Sequence, residues 1–395
     1  MKKRLFEQVD GLRKADNGCE NRGVPDRKAL LFRVDADPVI GMGHLMRCLS
    51  IADAARERGS SCVFLTGEQA AETVAARGFR AEVLRIVPPF VTAEIARIRQ
   101  TLEETGAQAV IADSYAVTQE YLEALHAVCR GQGAALVYLD DIAAFAYPCD
   151  ILINYNIFAP EWRENYEKLY GGALPQLLLG AEYAPLRAEF ASEEERTIRE
   201  NASDVLVSTG GADAEHMGLA LVREILRRPA GQSNPTFHFV VGRMSRDAEQ
   251  LRKTAEGSEK IRLHFDVTDM ASLMRSCDAA ISASGSTLCE LCATRTPALT
   301  YILADNQIAV AEGFSKRGVM RCCGDIRELG AEKLAATLID EVFALCADVD
   351  MRRNIALRMH DITDARGAAR IAAYILRRSV RCILGKHRHQ YRNTE

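Results

Sequence analysis

Short apolar runs alternate with amphipathic stretches along the chain from residue 29 onwards. The runs are ALLFRVDA (29–36), CVFLTG (62–67), AEVLRI (81–86), AQAVIADS (107–114), AALVYLDD (134–141) and ILINYN (151–156). Between them lie stretches with helical spacing, one beginning near His44, one ending near Arg77 and one spanning 118–130. Apolar strands separated by helices are typical of a parallel sheet that is covered on both faces. The pattern therefore predicts a doubly wound α/β domain.

The alternation stops between Phe158 and Glu200 and then resumes. Prolines, a glycine pair and the charge run at 193–196 interrupt this segment, which predicts a linker. The later runs are DVLVSTGG (204–211), TFHFVVG (236–242), IRLHFDV (261–267), AAISASGS (279–286) and PALTYIL (297–303), each followed by a helical stretch. Residues 331–379 are helical in pattern, and the last helix, from about Ala365, is a candidate to pack back across the first domain. We therefore predict a second doubly wound domain.

These patterns divide the chain into four predicted segments. Residues 1–28 carry no sustained apolar period and are predicted to be a flexible extension. Residues 29–185 form the predicted first domain, and residues 186–379 form the second domain together with the terminal helices. Residues 380–395 are predicted to be a solvated polar tail. A length of 395 residues agrees with two or three compact domains.

Composition and charge narrow the function. The chain carries 50 Lys and Arg against 54 Asp and Glu, so its net charge of −4 supplies no bulk positive field for nucleic acid or an anionic membrane. No apolar run approaches the roughly 20 residues of a membrane span, and the basic start leads into polar sequence without a signal core. Twelve scattered cysteines then favour free thiols in a reducing compartment, so we expect a cytoplasmic protein.

Loops that follow strands are the places to search for chemistry, because ligands of open α/β sheets bind beyond the carboxyl ends of the strands. The first such loop leads through Gly41-Met42-Gly43 to His44 at a helix start, where the positive helix end disfavours imidazolium and suits a general base. A capping or packing histidine is the alternative. Met46 stands where a dinucleotide motif would need its third glycine, so NAD binding is disfavoured.

Polar residues also follow two neighbouring runs of the first half. These are Asp113-Ser114-Tyr115 and Asp140-Asp141. Residues of these types after a strand often only cap the next helix. Their clustering with His44 favours a site.

Two glycine- and hydroxyl-rich loops mark the second half. They span 208–213 and 282–287, and the helix after the second loop carries Glu290. Such loops suit a diphosphate that is held by backbone N–H groups and a helix dipole, while Glu290 would accept hydrogen bonds from a ribose. Ordinary helix capping is the alternative. The Walker A lysine pattern is absent from the sequence, which disfavours ATP hydrolysis of that type.

Seven blocks together resemble the UDP-sugar hydrolases of pseudaminic acid biosynthesis. They are RVDADPVIGMGHLMRCLSIA (33–52), IADSYAV (111–117), YLDD (138–141), LINYN (152–156), GAEYAPLRAEF (180–190), VSTGGAD (207–213) and ISASGSTLCELCATRTPALTYILADNQ (281–307). The first block is the most specific, and the resemblance spans about residues 29–375. It implies a GT-B-like fold, in which two doubly wound Rossmann-like domains face each other across a cleft.

The resemblance also implies an activity. It is the metal-independent hydrolysis of UDP-2,4-diacetamido-2,4,6-trideoxy-β-L-altropyranose to free sugar and UDP, in nonulosonic acid and surface polysaccharide synthesis, which includes flagellin glycosylation. The family's proposed base maps onto His44 and its tyrosine onto Tyr115, whereas Ser114 replaces the family's histidine, so the role of that position is open.

We predict three groups of site residues. The catalytic group is His44, Asp113 and Tyr115. Substrate contacts are predicted for Asp35, Gly43, Arg47, Asn154 and Asn156. UDP contacts are predicted for Gly210, Gly211, Ser284, Gly285, Ser286, Thr287, Glu290 and Asn306. No metal ligand and no cofactor is predicted.

The expected function is that of an inverting UDP-sugar hydrolase in which His44 activates water. A GT-B glycosyltransferase that uses the same UDP-sugar donor is the rival enzyme, because fold alone does not decide whether water or a sugar hydroxyl attacks. A non-catalytic nucleotide-sugar binding protein would leave His44 idle. The sequence does not define the oligomeric state, and a monomer is compatible with it.

Overall fold

The computed structural model describes residues 29–35, 42–84, 91–192, 196–229, 235–242 and 244–377. The predicted extension 1–28 and the polar tail 380–395 lie outside these residues, as do the loop residues 36–41. Within the described part, two parallel sheets follow each other along the chain. In the same part, no helix has both the length and the apolar character that crossing a bilayer requires.

The first half contains seven strands. In chain order its elements are β1 (Ala29–Val34), α1 (Gly43–Arg56), β2 (Ser61–Thr66), α2 (Glu68–Ala76), β3 (Arg80–Val83), α3 (Val91–Thr105), β4 (Ala109–Asp113), α4 (Gln119–Gly131), β5 (Ala135–Leu139), β6 (Ile151–Asn154), α5 (Arg163–Tyr170) and β7 (Gln176–Leu179). The strand order is β3-β2-β1-β4-β5-β6-β7, and every pair is parallel. The order reverses between β1 and β4, which is the usual place for a ligand crevice.

The second half has the same alternation of strands and helices, and its described residues form six strands. Its elements are β8 (Asp204–Ser208), α6 (Met217–Arg227), β9 (Thr236–Val241), α7 (Ala248–Ala255), β10 (Ile261–Phe265), α8 (Met270–Ser276), β11 (Ala279–Ala283), α9 (Thr287–Ala293), β12 (Ala298–Ile302), α10 (Ile308–Lys316), β13 (Met320–Asp325), α11 (Ile326–Leu329), α12 (Ala331–Ala347), α13 (Val349–Met359) and α14 (Gly367–Arg377). The strand order is β10-β9-β8-β11-β12-β13, with a reversal between β8 and β11.

Two strands occur where the apolar pattern predicted none. β7 lies inside the segment that was predicted to be a linker, and β13 follows the last predicted strand of the second half. Each is the edge strand of its sheet. β13 buries little of its sequence, since an edge strand pairs on one side only and needs no continuous apolar run. β7 does bury three leucines, but its run is four residues long and lies between Pro175 and Gly180, so the surrounding turn residues predicted a linker.

The two halves share a buried apolar cluster. It joins Tyr155, Ile157 and Phe158, which follow β6, to side chains of the second half that include Val310 and Phe314 of α10. The contact is close, since a Cβ added to Gly313 would lie 2.6 Å from Ile157 Cγ2.

The last described helix, α14, packs against the first half. Ala368, Ile371, Ala372 and Ile375 enter the core that also contains Leu45 of α1. A Cβ added to Gly367 would lie 2.2 Å from the Ala184 carbonyl oxygen, so glycine permits this close approach. The end of the described chain is thereby tied to the first sheet.

Candidate active site

Four neighbouring strands of the first sheet end at one edge, where the predicted catalytic residues lie. The strands β1, β4, β5 and β6 are adjacent and parallel. Asp113 ends β4, Asp141 follows β5, and Asn154 ends β6, while His44 stands in the first turn of α1. The strand order thus brings together residues that are far apart in the sequence.

His44 and Asp113 form a buried pair at this edge. The Nδ1 atom of His44 lies 2.5 Å from Asp113 Oδ1, and the two residues are 6% and 0% exposed. Arg47 Nη2 lies 3.0 Å from the same Nδ1 but donates to Asp113 Oδ1 at 2.6 Å. Because an ionised carboxylate only accepts hydrogen bonds, the shorter contact to Asp113 assigns the proton to Nδ1 and the lone pair to Nε2. The pair has the arrangement of a general base that a carboxylate orients.

Arg47 holds the other side of Asp113. Its Nε and Nη2 atoms donate to the two carboxylate oxygens at 2.6 Å each, and its Nη1 donates to Asp141 at 2.9 Å and to the Tyr155 hydroxyl at 2.7 Å. Burial alone would raise the pKa of Asp113, but Arg47 and His44 outweigh it and hold that pKa well below its usual range. Arg47 was predicted to contact substrate; its donors point inward instead, and it is 8% exposed.

Tyr115 lies against His44 and is open to solvent. The two rings meet edge to face with centroids 4.6 Å apart, and Tyr115 is 43% exposed. Its hydroxyl donates to Asp141 Oδ2 at 2.7 Å, and Asn156 Nδ2 donates to Asp141 Oδ1 at 3.1 Å. Partial burial and the Asp141 carboxylate raise the pKa of Tyr115, so the phenol stays protonated.

The remaining predicted substrate residues differ in accessibility. Gly43 is exposed and begins α1, and Asn156 is half-buried. Asp35 is 7% exposed, accepts a hydrogen bond from Ser114 and pairs with Arg33 at 2.8 Å. Asn154 is fully buried and donates to Tyr166 at 2.9 Å; the structure therefore places Asp35 and Asn154 behind the accessible edge.

The loop after β8 carries Gly210 and Gly211, both exposed. Gly210 has a φ of +90°, which favours glycine, and a Cβ at Gly242 would lie 2.1 Å from the Gly211 carbonyl oxygen. Asp213 accepts the N–H groups of Met217 and Gly218 at 3.0 and 2.8 Å, so it caps α6 itself. An anion at this loop would bind the exposed glycine backbone, because the helix donors are already used.

The loop after β11 reaches the same edge of the second sheet, since β8 and β11 are neighbours. Ser286 is exposed, and Gly285 and Thr287 are half-buried at the start of α9. Ser284 is fully buried, and its hydroxyl bonds to Thr300 Oγ1 at 2.7 Å and to the Tyr301 carbonyl at 2.9 Å. Its side chain therefore holds β11 to β12, although a UDP contact was predicted for it.

The carboxylate of Glu290 lies near a charged residue that does not belong to the second sheet. Arg187, in the connection between the halves, approaches Glu290 Oε1 to 3.6 Å and Glu189 Oε1 to 3.3 Å. Burial raises the pKa of Glu290 to about 7 in spite of Arg187, and Glu189 adds to the rise. Asn306 is exposed and lies in the 3₁₀ turn Asp305–Gln307, just after β12.

Besides Asp141, which the sequence offered as a polar residue after a strand but not as one of the predicted contacts, two further residues of this region were not predicted as site residues. Tyr155 accepts from Arg47 and belongs to the cluster between the halves. Arg187 reaches Glu290. Both lie within sequence blocks that carried the resemblance, LINYN and GAEYAPLRAEF, but nothing in the spacing of those blocks indicated their partners. Among the described residues, no three His, Cys, Asp or Glu side chains come together as metal ligands.

The two parallel sheets with their helices define a GT-B fold. Over 89% of this chain, Acinetobacter baumannii MurG superimposes along its whole length with a TM-score of 0.59 and 12% identity. The S. aureus MnaA–UDP structure covers 88% of this chain and 96% of its own, with a TM-score of 0.58 and 11% identity. These similarities confirm the predicted fold class.

Sequence comparison identifies distant homologues. The chain is 25% identical over 299 residues to the UDP-2,4-diacetamido-2,4,6-trideoxy-β-L-altropyranose hydrolase of Campylobacter jejuni, a match that covers 73% of this chain and 97% of the relative. It is 26% identical over 197 residues to the spore coat polysaccharide biosynthesis protein SpsG of Bacillus subtilis, covering 50% of this chain and 57% of that protein. No protein-family model matches the chain. The predicted homology is confirmed.

Proposed function

We propose that this protein hydrolyses a UDP-linked 2,4-diacetamido-2,4,6-trideoxy hexose to free sugar and UDP, in nonulosonic acid biosynthesis. The observation that carries the proposal is the buried His44–Asp113 pair at the edge of a GT-B domain. The homology to the Campylobacter jejuni hydrolase supplies the substrate class.

In this mechanism His44 is the general base. Nε2 takes a proton from water while the water oxygen attacks the anomeric carbon from the face opposite the leaving group, which inverts that carbon. Asp113 stabilises the imidazolium that forms, since its carboxylate already accepts the Nδ1 proton. Arg47 acts through Asp113. Gly43, Tyr115 and Asn156 are accessible for contact with the sugar.

The bond between the anomeric carbon and the diphosphate oxygen breaks, and UDP leaves with the electron pair. In the proposal, backbone groups of Gly210, Gly211 and 285–287 hold the diphosphate, because oriented N–H dipoles stabilise developing negative charge. Glu290 accepts hydrogen bonds from the ribose. Asn306 also contacts the nucleotide in this proposal, because it follows β12, the strand next to β11. This route needs no metal.

UDP release without an acceptor tests the proposal. Purified protein with the UDP-linked diacetamido sugar should release UDP over many turnovers, and EDTA should leave the rate nearly unchanged. Release that requires an added sugar acceptor would instead establish a glycosyltransferase. No release from a panel of UDP-linked diacetamido sugars, with or without acceptors, would leave a binding protein.

Isotope labelling tests which bond breaks. In ¹⁸O-labelled water the label should enter the sugar, because water attacks carbon. Label in UDP would mean attack at phosphorus and would contradict the role given to His44. The anomer that forms first, followed by NMR before mutarotation, tests inversion.

A further inference from the structure

Two adjacent carboxylates, Asp140 and Asp141, follow β5 and have different partners. Asp140 is 2% exposed and accepts the N–H groups of Ile142 and Ala143 at 2.9 and 3.0 Å, together with the Tyr166 hydroxyl at 2.5 Å. These contacts build the turn after β5. Asp141 contributes nothing to that turn, and its partners belong to the candidate active site.

Asp141 is linked by hydrogen bonds to both residues that hold the His44 ring, directly to Tyr115 and through Arg47 to Asp113. The first support is Tyr115, which packs edge to face on His44 and donates its hydroxyl to Asp141. The second support is Asp113, whose carboxylate is held by Arg47, and the same guanidinium donates Nη1 to Asp141 at 2.9 Å. Two separate chains of contacts from the imidazole therefore end at the Asp141 carboxylate.

Asp141 supplies one of the two negative charges next to the Arg47 guanidinium. Arg47 carries one positive charge between two carboxylates, Asp113 and Asp141, which lie on different sides of the guanidinium. The Asp141 side chain is 10% exposed, so solvent screens it little. Without the Asp141 side chain, Arg47 Nη1 keeps only Tyr155 as a neutral acceptor, and the exposed Tyr115 ring loses the acceptor that fixes its hydroxyl.

We propose that Asp141 is a positioning residue that holds the His44 ring with Nε2 towards the reacting water, acting through Tyr115 and Arg47. The proposal rests on the proposed function, since it takes His44 as the base. It separates two neighbouring residues of identical type: Asp141 serves the reaction, and Asp140 serves the fold.

Matched substitutions test this division. Asp141→Ala should lower kcat by about 100-fold, the loss expected when a catalytic group is misplaced by roughly 1 Å, and should leave the Kd of UDP within about twofold. Asp141→Asn should lose less, because the amide oxygen still accepts from Tyr115. Asp140→Asn should lower Tm and, below its Tm, keep kcat within about threefold of wild type. If that variant does not fold, Tyr166→Phe replaces it, because it removes one donor to Asp140 and the acceptor of the buried Asn154 amide, and leaves the hydrogen bonds of Asp141 in place.

Histidine NMR supplies a second readout that does not require turnover. In full-length protein with ¹⁵N-labelled histidine, the His44 signals are those missing from His44→Asn among eight histidines. They should show the Nδ1-protonated tautomer in all of these proteins, because Asp113 fixes it. In Asp141→Ala, but not in Asp140→Asn, they should be broadened, because the ring is no longer held in one orientation.

The outcomes separate the two proposals. Sharp His44 signals and an unchanged kcat in Asp141→Ala would overturn the role of Asp141, as would an equal loss of kcat in the Asp140 and Asp141 variants. His44 signals that are sharp in wild type and broadened in Asp141→Ala, in a protein that releases no UDP, would overturn the proposed function and leave the positioning role standing.

Discussion

Arg47 and Asp113 form a two-pronged ion pair inside the first half, with both N–O distances at 2.6 Å. Asp113 is fully buried, and Arg47 is almost so. The pair keeps Asp113 ionised, because its pKa is held well below the usual range against the opposing effect of burial. An ionised Asp113 is what gives His44 a fixed proton on Nδ1 and a free lone pair on Nε2.

Asp113→Asn should destabilise the protein by about 3 kcal/mol at pH 7, since removal of one partner leaves buried positive charge poorly compensated. Urea unfolding measures this difference. The native pKa of Asp113 is lowered, so its contribution is present at neutral pH and is lost as the pH falls below about 4, where the unfolded carboxyl is protonated. The difference in unfolding free energy between wild type and variant should therefore become smaller as the pH falls. A gap that stays constant from pH 7 to pH 3 would contradict the ion-pair account.

His44→Asn should lower kcat by about 10² to 10⁴, the usual contribution of a general base, while UDP binding should persist because the proposed UDP contacts lie in the second half. Stopped assays of UDP release and calorimetry with UDP measure the two effects. Tm should change little, because the Asn amide can still donate to Asp113. Near-normal turnover, or a loss that follows unfolding, would remove His44 from the mechanism.

Glu290→Gln should remove a pH dependence of UDP binding. The pKa of Glu290 is raised to about 7 by burial, so the wild-type carboxylate becomes ionised between pH 6 and pH 8 and then accepts ribose hydroxyls more strongly. The Kd of UDP should fall over this range in wild type and stay flat in the variant, as measured by calorimetry. A parallel pH dependence in both proteins would exclude Glu290 as the cause.

The Glu290 carboxyl should also affect the stability of the fold. Here a rise in pH should be unfavourable, whereas it should favour UDP binding. A raised native pKa means that the native state binds the proton more tightly than the unfolded state, so wild-type stability is lost as the pH rises through 7. Glu290→Gln should therefore stabilise the protein relative to wild type at pH 8 and less so at pH 5. Thermal unfolding at both pH values measures the effect, and an unchanged difference would contradict it.

Gly242→Ala should weaken UDP binding by about tenfold or more, equal to 1.4 kcal/mol. The added Cβ would lie 2.1 Å from the Gly211 carbonyl oxygen and 2.7 Å from its Cα, and backbone atoms must move to relieve this contact. Calorimetry on protein that remains folded by circular dichroism measures the loss. Gly131→Ala, where the Cβ meets nothing within 4 Å, is the control and should bind UDP normally. Unchanged binding in Gly242→Ala would place the diphosphate away from Gly211.

The sequence by itself determined the alternation of strands and helices, because buried parallel strands need continuous apolar runs and their helices need one apolar face. It also indicated which residues follow strands, and hence that His44 and Asp113 are candidates for one site. It did not reveal β7, where QLLL follows Pro175, or β13, whose MRCCGD contains charges and a glycine. β13 is an edge strand with a weaker need for apolar residues, whereas the three leucines of β7 form a run too short, between Pro175 and Gly180, to be told from a loop.

Only the tertiary structure decided the direction of each side chain and its partner. Arg47 and Ser284 fit a ligand-binding loop by sequence, yet their polar atoms bond inside the protein. Asp140 and Asp141 are indistinguishable in the sequence, yet one builds a turn and the other reaches Arg47 and Tyr115. For Arg47 and Asp141 the physical reason is the strand order β1-β4-β5-β6, which places residues 26 to 108 positions apart within hydrogen-bond distance. For Ser284 it is the pairing of β11 with β12. Local periodicity carries no information about that order.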